Sequence, residues 1–351
     1  ALLYIPAKAP YDFYTRDYKA GLQLYSSGVL IMDKCADLLP DHFRFVRGVV
    51  DSQDFSLNIS REVLQHTRQL KVIAGNLEKK IKSELGKLLK DDREGYEKFW
   101  KNFGRQIKYG VVSEYGAHKE LLQDLLMYHS STENKLVSLK DYVSRMKEDQ
   151  KYIYYACGET VDKIKMLPVM ETLSDKGYEV LCMDDSIDEF CTKMIAKYDD
   201  KEFKSVLDAD LGLETEDEKE EIKKLSEDNK DVLEALGKAL EGKVKKVELT
   251  SRLKSHPCCL RAEGPVTLEM EKVLNQQAAV NGGETVRAER VLELNAEHPI
   301  FKKLCALQTE GSDKLADYAD ILYTQSLLIE GLPVDDPAAY ANKICDLLAK
   351  E

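Results

Sequence analysis

The sequence predicts a mixed α/β protein in which two α/β units, joined by a helical segment, precede a final α+β unit. The chain has 351 residues, which is too long for one ordinary domain, since a domain usually holds roughly 100–200 residues. Apolar runs typical of strands alternate with apolar stripes at the three- and four-residue steps typical of helices. From this alternation we expect boundaries that divide the chain into 1–90, 91–125, 126–206 and 207–351.

Three strands and a long helix are predicted in the first unit. The strands are the largely apolar runs 1–6, 24–32 and 43–50. Because run 1–6 lacks an initiator Met and a polar lead-in, we expect the chain to begin inside a larger protein. One helical stripe then follows Arg61, formed by Leu70, Ile73, Leu77, Ile81, Leu85 and Leu88. Shorter helices continue from 91 to 127, with apolar residues Tyr96, Phe99, Trp100, Phe103 and Ile107.

A strand–helix–strand pattern predicts the second α/β unit. Its strands are 153–158 and 178–183 and its helix is 168–176, which should give parallel strands with a right-handed crossover. Segment 208–231 holds eleven acidic residues and four lysines, so we expect a solvated helix or linker there. The last unit continues with strands predicted at 244–249 and 258–261 and with closing helices.

Composition and charge exclude several classes of protein. Lys and Arg number 51 and Asp and Glu number 63, so the net charge is −12, whereas a nucleic-acid interface needs a basic surface. No apolar run approaches the roughly 20 residues of a membrane span. The eight cysteines include no CxxC pair, and we expect them to be reduced thiols. We therefore expect a cytoplasmic protein with neither nucleic acid nor membrane as a partner.

Arg61 and Gln65 are the candidate residues of a phosphate site. They lie four apart and so share one helix face, and Ser60 or Asn58 can cap the start of that helix. A guanidinium and an amide beside a helix N-terminus suit a phosphate group that arrives from another domain. On spacing alone, the alternative that Arg61 merely pairs with a carboxylate such as Glu62 is favoured.

The sequence contains no complete active site. It has no GxxxxGK[ST] phosphate loop, no GxGxxG motif after a strand and no HExxH metal motif. Its six histidines show no ligand spacing, and the adjacent Cys258 and Cys259 would point to opposite faces of a strand. We therefore expect no metal site, and no nucleotide hydrolysis by this chain alone.

A short amphipathic helix after Gly264 is a candidate surface for binding other proteins. Its apolar stripe consists of Val266, Met270, Val273 and Leu274, and Glu269, Lys272 and Asn275 are expected on its other side. Such a stripe suits varied apolar segments, because Met adapts its shape. Packing of the stripe on its own domain is the alternative, and the sequence leaves both open.

The last two helices are predicted to form a dimer interface. Their apolar residues are Leu315, Tyr318, Leu322 and Ile329 on the first helix and Tyr340, Ile344, Leu347 and Leu348 on the second. Asp336 should cap the second helix, with Pro337 in its first turn. A four-helix bundle from two chains would bury this apolar surface. Packing on the sheet of the same unit is the alternative.

Several long motifs, in the order found in the family, make the chain resemble the heat-shock protein 90 chaperones. The motifs are LIMD at 30–33, FVRGVVDS at 45–52, LNISRE at 57–62, VSLKDY at 137–142, RMKEDQ at 145–150 and IYY at 153–155. RLKSHP at 252–257 and MEKVL at 270–274 are similar to the bacterial branch of the family. The resemblance covers nearly the whole chain.

The resemblance implies an ATP-dependent molecular chaperone of the stress response. Unfolded or partly folded client proteins would be its partners, together with a second copy of the chain and, as further candidates, co-chaperones. ATP with Mg²⁺ would bind to an N-terminal ATPase domain that we expect to be missing here, so no cofactor is expected in this fragment. The predicted parts 1–90, 91–125 and 126–206 would make up the middle domain, and 207–351 the C-terminal dimerisation domain.

The resemblance also implies roles for particular residues. Arg61 and Gln65 match the catalytic positions that reach the γ-phosphate of ATP from the middle domain. The client-binding residues implied by position are Phe190, Val266, Met270, Val273 and Leu274.

Two other functions remain as alternatives. A DNA-handling relative with the same type of ATPase domain would need a basic groove, which a net charge of −12 disfavours. A non-catalytic dimeric adaptor would hold partner proteins without any nucleotide. Only the region of Arg61 separates such an adaptor from an ATP-driven chaperone.

Overall fold

The structure is a computed structural model that describes residues 1–53, 55 and 68–349. Thirteen strands and thirteen α-helices occur among these residues, which confirms the predicted mixed fold class. They form two compact units, which are described in turn. The first unit consists of Ala1–Tyr128, Leu136–Ser144 and Phe190–Tyr198, and the second of His129–Lys135, Arg145–Glu189 and Asp199–Glu351.

The first unit contains a four-stranded sheet in the order β1-β4-β2-β3. Its strands are β1 (Leu2–Tyr4), β2 (Leu22–Ser26), β3 (Val29–Cys35) and β4 (Arg47–Asp51). Strand β4 pairs antiparallel with β1, where Val49 lies opposite Leu2, and parallel with β2, where Val49 lies opposite Gln23.

The predicted single strand 24–32 is wrong, because this segment is a hairpin. Ser27 and Gly28 both adopt positive φ, as a tight two-residue hairpin turn requires. The turn places β2 and β3 antiparallel, and it leaves Val29 and Leu30 about half exposed. One largely apolar run therefore contains two strands of unequal burial, separated by the turn at Ser27 and Gly28.

The predicted strand 43–50 begins only at Arg47, so its first half is also wrong. A 3-10 helix occupies Asp41–Phe43. Phe43 and Phe45 are buried in an aromatic core, where the ring centroids of Phe45 and Phe103 are 5.0 Å apart. Burial of the aromatic rings decides the course of the chain here.

Three α-helices follow in the first unit: α1 (Arg68–Asp91), α2 (Arg93–Gly116) and α3 (Lys119–Leu122). The stripe predicted for α1 is confirmed, because Leu70, Leu77, Ile81 and Leu85 are buried. The stripe predicted for 91–127 is confirmed too, but it belongs to one long helix, α2, with non-helical backbone only at Ser113–Tyr115.

The middle of the chain continues with shorter elements. These are β5 (Met127–Ser130), β6 (Leu136–Ser138), α4 (Leu139–Arg145), β7 (Tyr152–Cys157), α5 (Val161–Lys165), α6 (Val169–Asp175), β8 (Leu181–Met183), α7 (Asp188–Ile195), β9 (Lys197–Tyr198) and β10 (Lys201–Ser205). The predicted strand–helix–strand unit is confirmed, since β7 and β8 are parallel with Tyr155 opposite Leu181. Strand β10 lies parallel to β7 on its other side.

The rest of the second unit packs helices on a three-stranded sheet. Its elements are α8 (Glu216–Asp228), α9 (Lys230–Ala239), β11 (Lys246–Thr250), β12 (Cys258–Glu263), α10 (Leu268–Asn281), β13 (Glu289–Asn295), α11 (Pro299–Thr309), α12 (Lys314–Ile329) and α13 (Pro337–Leu348). The central strand β13 is parallel to β11 and antiparallel to β12. Leu236, Leu292, Leu304 and Leu322 are among the buried residues that join α9, α11 and α12 to the sheet.

The acidic segment forms helix α8, which confirms the prediction of a solvated helix. None of its residues is fully buried. Thr215 begins the helix with a capping box, in which its hydroxyl accepts from the backbone N–H of Glu218 at 3.2 Å.

Among the described residues, no helix is both long and apolar enough to span a membrane.

Candidate functional site

Arg61 and Gln65, the predicted phosphate residues, lie outside the described residues, so their site stays a prediction. Before them, the carbonyl of Phe55 accepts a hydrogen bond of 2.6 Å from the hydroxyl of Ser26 on β2. After them, the described residues continue from Arg68.

Helix α10 carries the predicted apolar stripe and has a defined start and end. Thr267 caps the start, since its Oγ1 accepts from the backbone N–H of Met270 at 3.1 Å. At the other end Gly282 takes a left-handed conformation with φ of 72°, and its N–H donates to the carbonyl of Ala278 at 2.8 Å. These local signals define a helix of nearly four turns that begins at Leu268.

Part of the stripe packs on its own unit and part stays accessible. Val273 is buried, as is Leu268. Val266 is half-buried and packs against the same core. Met270 and Leu274 are half-buried, so portions of both side chains remain open to contact. Part of the stripe therefore packs on its own unit, and binding of other proteins by the accessible part stays a prediction.

The polar residues of α10 make specific contacts with the rest of their unit. The ammonium of Lys272 donates to the backbone carbonyl of Glu330 at 3.0 Å and lies 2.5 Å from Oε2 of Glu269. The Asn275 amide exchanges two hydrogen bonds with the backbone of Val286, at 2.9 and 2.7 Å. These side chains attach the helix to the rest of its unit.

A buried ion pair at Glu271 was missed by the sequence analysis. Glu271 Oε1 lies 2.5 Å from Nη2 of Arg290 on β13, and its Oε2 accepts from the backbone N–H of Ala288 at 2.9 Å. Arg290 Nη1 in turn donates to the hydroxyl of Tyr323 on α12 at 2.6 Å. The available signal was weak: Glu271 lies three residues after the buried Leu268 and so on the same helix face.

Glu330, the residue after α12, is a buried carboxyl group beside α10. Its Oε1 has no hydrogen-bond partner among the described residues. Burial, opposed by the charges of Lys272 and Arg252 and assisted by that of Glu269, raises the pKa of Glu330 to about 7. The group is therefore poised to change its charge near neutral pH.

Two buried arginines hold Glu293 of β13 between them. Arg261 Nε donates to Oε1 of Glu293 at 2.8 Å, and Arg252 Nε donates to Oε2 at 3.1 Å. Arg252 also donates to the backbone carbonyls of Val206 and Asp208 through Nη1, at 3.3 and 2.6 Å. This network joins the three-stranded sheet to the segment that follows β10.

Phe190 lies on α7 and is half-buried. It belongs to the first unit, whereas Val266, Met270, Val273 and Leu274 belong to the second. The client-binding surface that includes both stays a prediction.

The predicted dimer residues differ strongly in exposure. Leu315 and Leu322 are buried in the core of their own unit. Tyr318, Tyr340, Ile344 and Leu347 are half-buried, while Ile329 is 37% and Leu348 70% exposed. Only part of the predicted set is thus accessible on a single chain, and dimerisation itself stays a prediction.

Helix α13 begins as predicted and is tied to α12 by charge. Asp336 accepts from the backbone N–H of Ala339 at 2.9 Å, with Pro337 in the first turn. Lys343 lies 2.5 Å from Asp320 on α12. Although partial burial opposes it, the hydrogen bonds from Lys243 and Lys343 lower the pKa of Asp320, so the carboxylate stays charged.

Comparison with known proteins gives consistent matches over this whole fold. The family model described as "Hsp90 protein" matches residues 1–351. The chain is 57% identical over 347 residues to "Chaperone protein HtpG" of Clostridium acetobutylicum and 54% identical over 348 residues to the protein of that name from Bacillus subtilis. The match to the Oceanobacillus iheyensis protein of that name is 55% over 348 residues. Each alignment covers 99% of this chain and 55% of the relative, so the chain spans about half the length of the curated relatives it matches.

Proposed function

This chain belongs to the heat-shock protein 90 family, of the HtpG type, and we propose that it is the client-binding and dimerising part of an ATP-dependent molecular chaperone. The full-length protein would act in the cytoplasm as a homodimer on unfolded or partly folded proteins. Within it, 1–206 would serve as the middle domain and 207–351 as the dimerisation domain. The relatives bear the name of a chaperone, which supports this assignment.

The observation that carries the proposal is the partly accessible pair Met270 and Leu274 on the firmly attached helix α10. The helix is tied by the Glu271–Arg290 ion pair and by the paired hydrogen bonds of Asn275 with Val286. Flexible apolar side chains on a fixed support can contact client segments of varied shape, because only the side chains need to adjust. Phe190, in the first unit, is a further client-binding residue implied by the family resemblance.

ATP would supply the energy for the conformational cycle, and we expect it, with Mg²⁺, to be bound by a part of the full-length protein outside this chain. Arg61 would then place its guanidinium against the γ-phosphate, where it stabilises negative charge. Gln65, on the same predicted helix face, would add an amide hydrogen bond. Both roles come from the family resemblance.

The client-binding role is tested by suppression of aggregation of a heat-denatured model enzyme by the full-length protein. We expect the double variant Met270→Asp with Leu274→Asp to need an at least about tenfold higher concentration for the same suppression, since a charge opposes apolar contact. The matched control is Gln276→Asp with Ala279→Asp, which adds equal charge at exposed positions on the opposite side of α10.

The dimer must remain intact in both variants, as checked by sedimentation velocity. Unchanged suppression by the Met270/Leu274 variant would place the client site elsewhere. Equal loss in both variants would mean that added charge, and not this surface, causes the effect.

A further inference from the structure

Two histidines and a glutamate from distant parts of the chain meet in the first unit. His42 lies in the 3-10 helix Asp41–Phe43, Glu78 on α1, and His118 at the start of α3. Glu78 Oε1 is 3.1 Å from Nε2 of His42 and 3.4 Å from Nδ1 of His118. Each residue thus offers one ligand atom, and the three atoms all lie within 4.8 Å of one another.

Two of the facing atoms lack a hydrogen bond. His42 Nε2 and Glu78 Oε1 are both buried and have no hydrogen-bond partner among the described residues, although only 3.1 Å separates them. Buried polar atoms in native proteins are almost always satisfied, because they have lost their hydration. His42 is only 4% exposed, so bulk water does not replace the missing partner. A cation between the two atoms would satisfy both.

The distances between the ligand atoms fit a tetrahedral ion. Zinc binds histidine nitrogen and carboxylate oxygen at about 2.0–2.2 Å, so two ligand atoms at the tetrahedral angle lie ~3.3–3.5 Å apart. The distances of 3.1 and 3.4 Å from the Glu78 oxygen to the two imidazole nitrogens are close to this value. Small side-chain shifts would complete the geometry.

The surroundings of the two histidines suit metal ligands. Burial, assisted by the adjacent His118, lowers the pKa of His42 to about 3, so the ring is neutral. Gly110 of α2 leaves room for it, since a Cβ there would lie 2.3 Å from the Cβ of His42. Glu114 Oε2 lies 3.7 Å from Nε2 of His118, the ring nitrogen that does not face Glu78. Carboxylates beside that second nitrogen commonly orient metal-bound histidines.

We propose that His42, Glu78 and His118 bind one divalent transition-metal ion, of which zinc is the expected type, with a fourth position open to water. Two imidazoles and one carboxylate suit zinc, whereas calcium and magnesium prefer sites made of oxygen alone. The ligands come from the 3-10 helix, α1 and the start of α3. An ion at their centre would hold these three elements together and stabilise the first unit.

Metal binding is tested with Zn²⁺ and the untagged, nucleotide-free, chelator-treated full-length protein. A Cys345→Ser background removes an exposed thiol that could bind the ion by itself. Calorimetric titration should show one saturable Zn²⁺ site per chain. We expect His118→Ala, and the isosteric Glu78→Gln, to weaken binding at least about 10–100-fold, the loss typical even for residues that only orient a ligand. His256→Ala is the control, because it removes a histidine of the second unit.

Hydrogen exchange supplies a second readout that does not depend on calorimetry. Zn²⁺ should slow amide exchange in α1 and α3 of the wild type and of His256→Ala, because an ion that binds only the folded state stabilises it. It should have no such effect in His118→Ala. Absence of a saturable site, or unchanged binding in both His118→Ala and Glu78→Gln, would overturn the proposal. Neither outcome bears on the chaperone assay, which concerns α10.

Discussion

Glu271 on α10 and Arg290 on β13 form a buried ion pair, with 2.5 Å between Oε1 and Nη2 and 7% exposure of each side chain. Oε2 of Glu271 accepts from the backbone N–H of Ala288, and Nη1 of Arg290 donates to the hydroxyl of Tyr323, whereas Nε of Arg290 has no hydrogen-bond partner among the described residues. One polar network thus attaches α10 both to the sheet and to α12. The proposed client surface depends on this attachment for its position.

Arg290→Met should destabilise the second unit strongly. Removal of one partner leaves the Glu271 carboxylate buried without its counter-charge, which typically costs about 3–5 kcal/mol of unfolding free energy. The double change Glu271→Leu with Arg290→Met should cost less, because no charge remains buried. The free energy of unfolding of both variants is measured by urea unfolding followed by far-UV circular dichroism. Fluorescence of Trp100 reports separately on unfolding of the first unit.

Arg287→Met provides the control for this cycle, since Arg287 is exposed, lies three residues before Arg290 and makes a long hydrogen bond of 3.5 Å to the same Tyr323 hydroxyl. We expect the unfolding free energy of this variant to lie within about 0.5 kcal/mol of the wild-type value. If Arg290→Met were no more destabilising than Arg287→Met, the ion pair would not contribute to the stability of the unit.

Glu330 should make the stability of the second unit fall as pH rises from about 4.5 to 7. Its pKa is raised from near 4.5 to about 7 in the folded state, so over this window the folded chain binds more protons than the unfolded chain. The contribution of Glu330 to stability is complete below the unfolded-state pKa and is lost as pH rises through the folded-state pKa. The free energy of unfolding should fall by about 3 kcal/mol over this range. Urea unfolding at several pH values should show this slope.

Glu330→Gln should remove that part of the pH dependence and stabilise the unit at pH 8. Glu284→Gln, at an exposed position, is the matched control and should leave the wild-type slope unchanged. An identical slope in wild type and Glu330→Gln would mean that another group titrates.

Ile329→Asp with Leu348→Asp should weaken the proposed dimer without unfolding the chain. Both side chains are exposed, unlike Leu315 and Leu322, whose replacement would disrupt the core. Loss of apolar anchors at an interface should raise the dissociation constant at least about tenfold. Sedimentation velocity over a concentration series measures this, with Val280→Asp, at an 84% exposed position on α10, as the control. A dissociation constant equal to that of the control would exclude Ile329 and Leu348 from the interface.

Arg61→Ala should lower ATP hydrolysis by the full-length protein while nucleotide affinity stays similar. An arginine that acts on transition-state charge contributes about 10³–10⁵ in rate, but one that mainly supports closure contributes less, so we expect a fall of about 10–10³-fold. Steady-state turnover is compared with that of Arg16→Ala, an exposed arginine of the first unit. Turnover unchanged in Arg61→Ala would favour a scaffold that binds clients without this arginine.

Local sequence patterns predicted most of the helices and strands correctly. The stripes of α1 and α2, the cap of α13 by Asp336, and the parallel strands around Tyr155 and Leu181 all depend on residues close together in sequence. The hairpin was missed because Ser27 and Gly28, which are a turn signal, were taken as part of one largely apolar strand. The short elements around Phe43 were misread because aromatic burial, and not strand pairing, determines the backbone there.

The sequence by itself determined the fold class, most helices and strands, and the family, since periodicity, caps and motifs are all properties of neighbouring residues. Only the tertiary structure decided that Glu271 is buried against Arg290, and that His42, Glu78 and His118 share one small site. The members of each group lie far apart along the chain, so no helical or strand periodicity relates them. Burial and proximity of this kind arise when distant elements pack together, so they cannot be recognised from local sequence patterns.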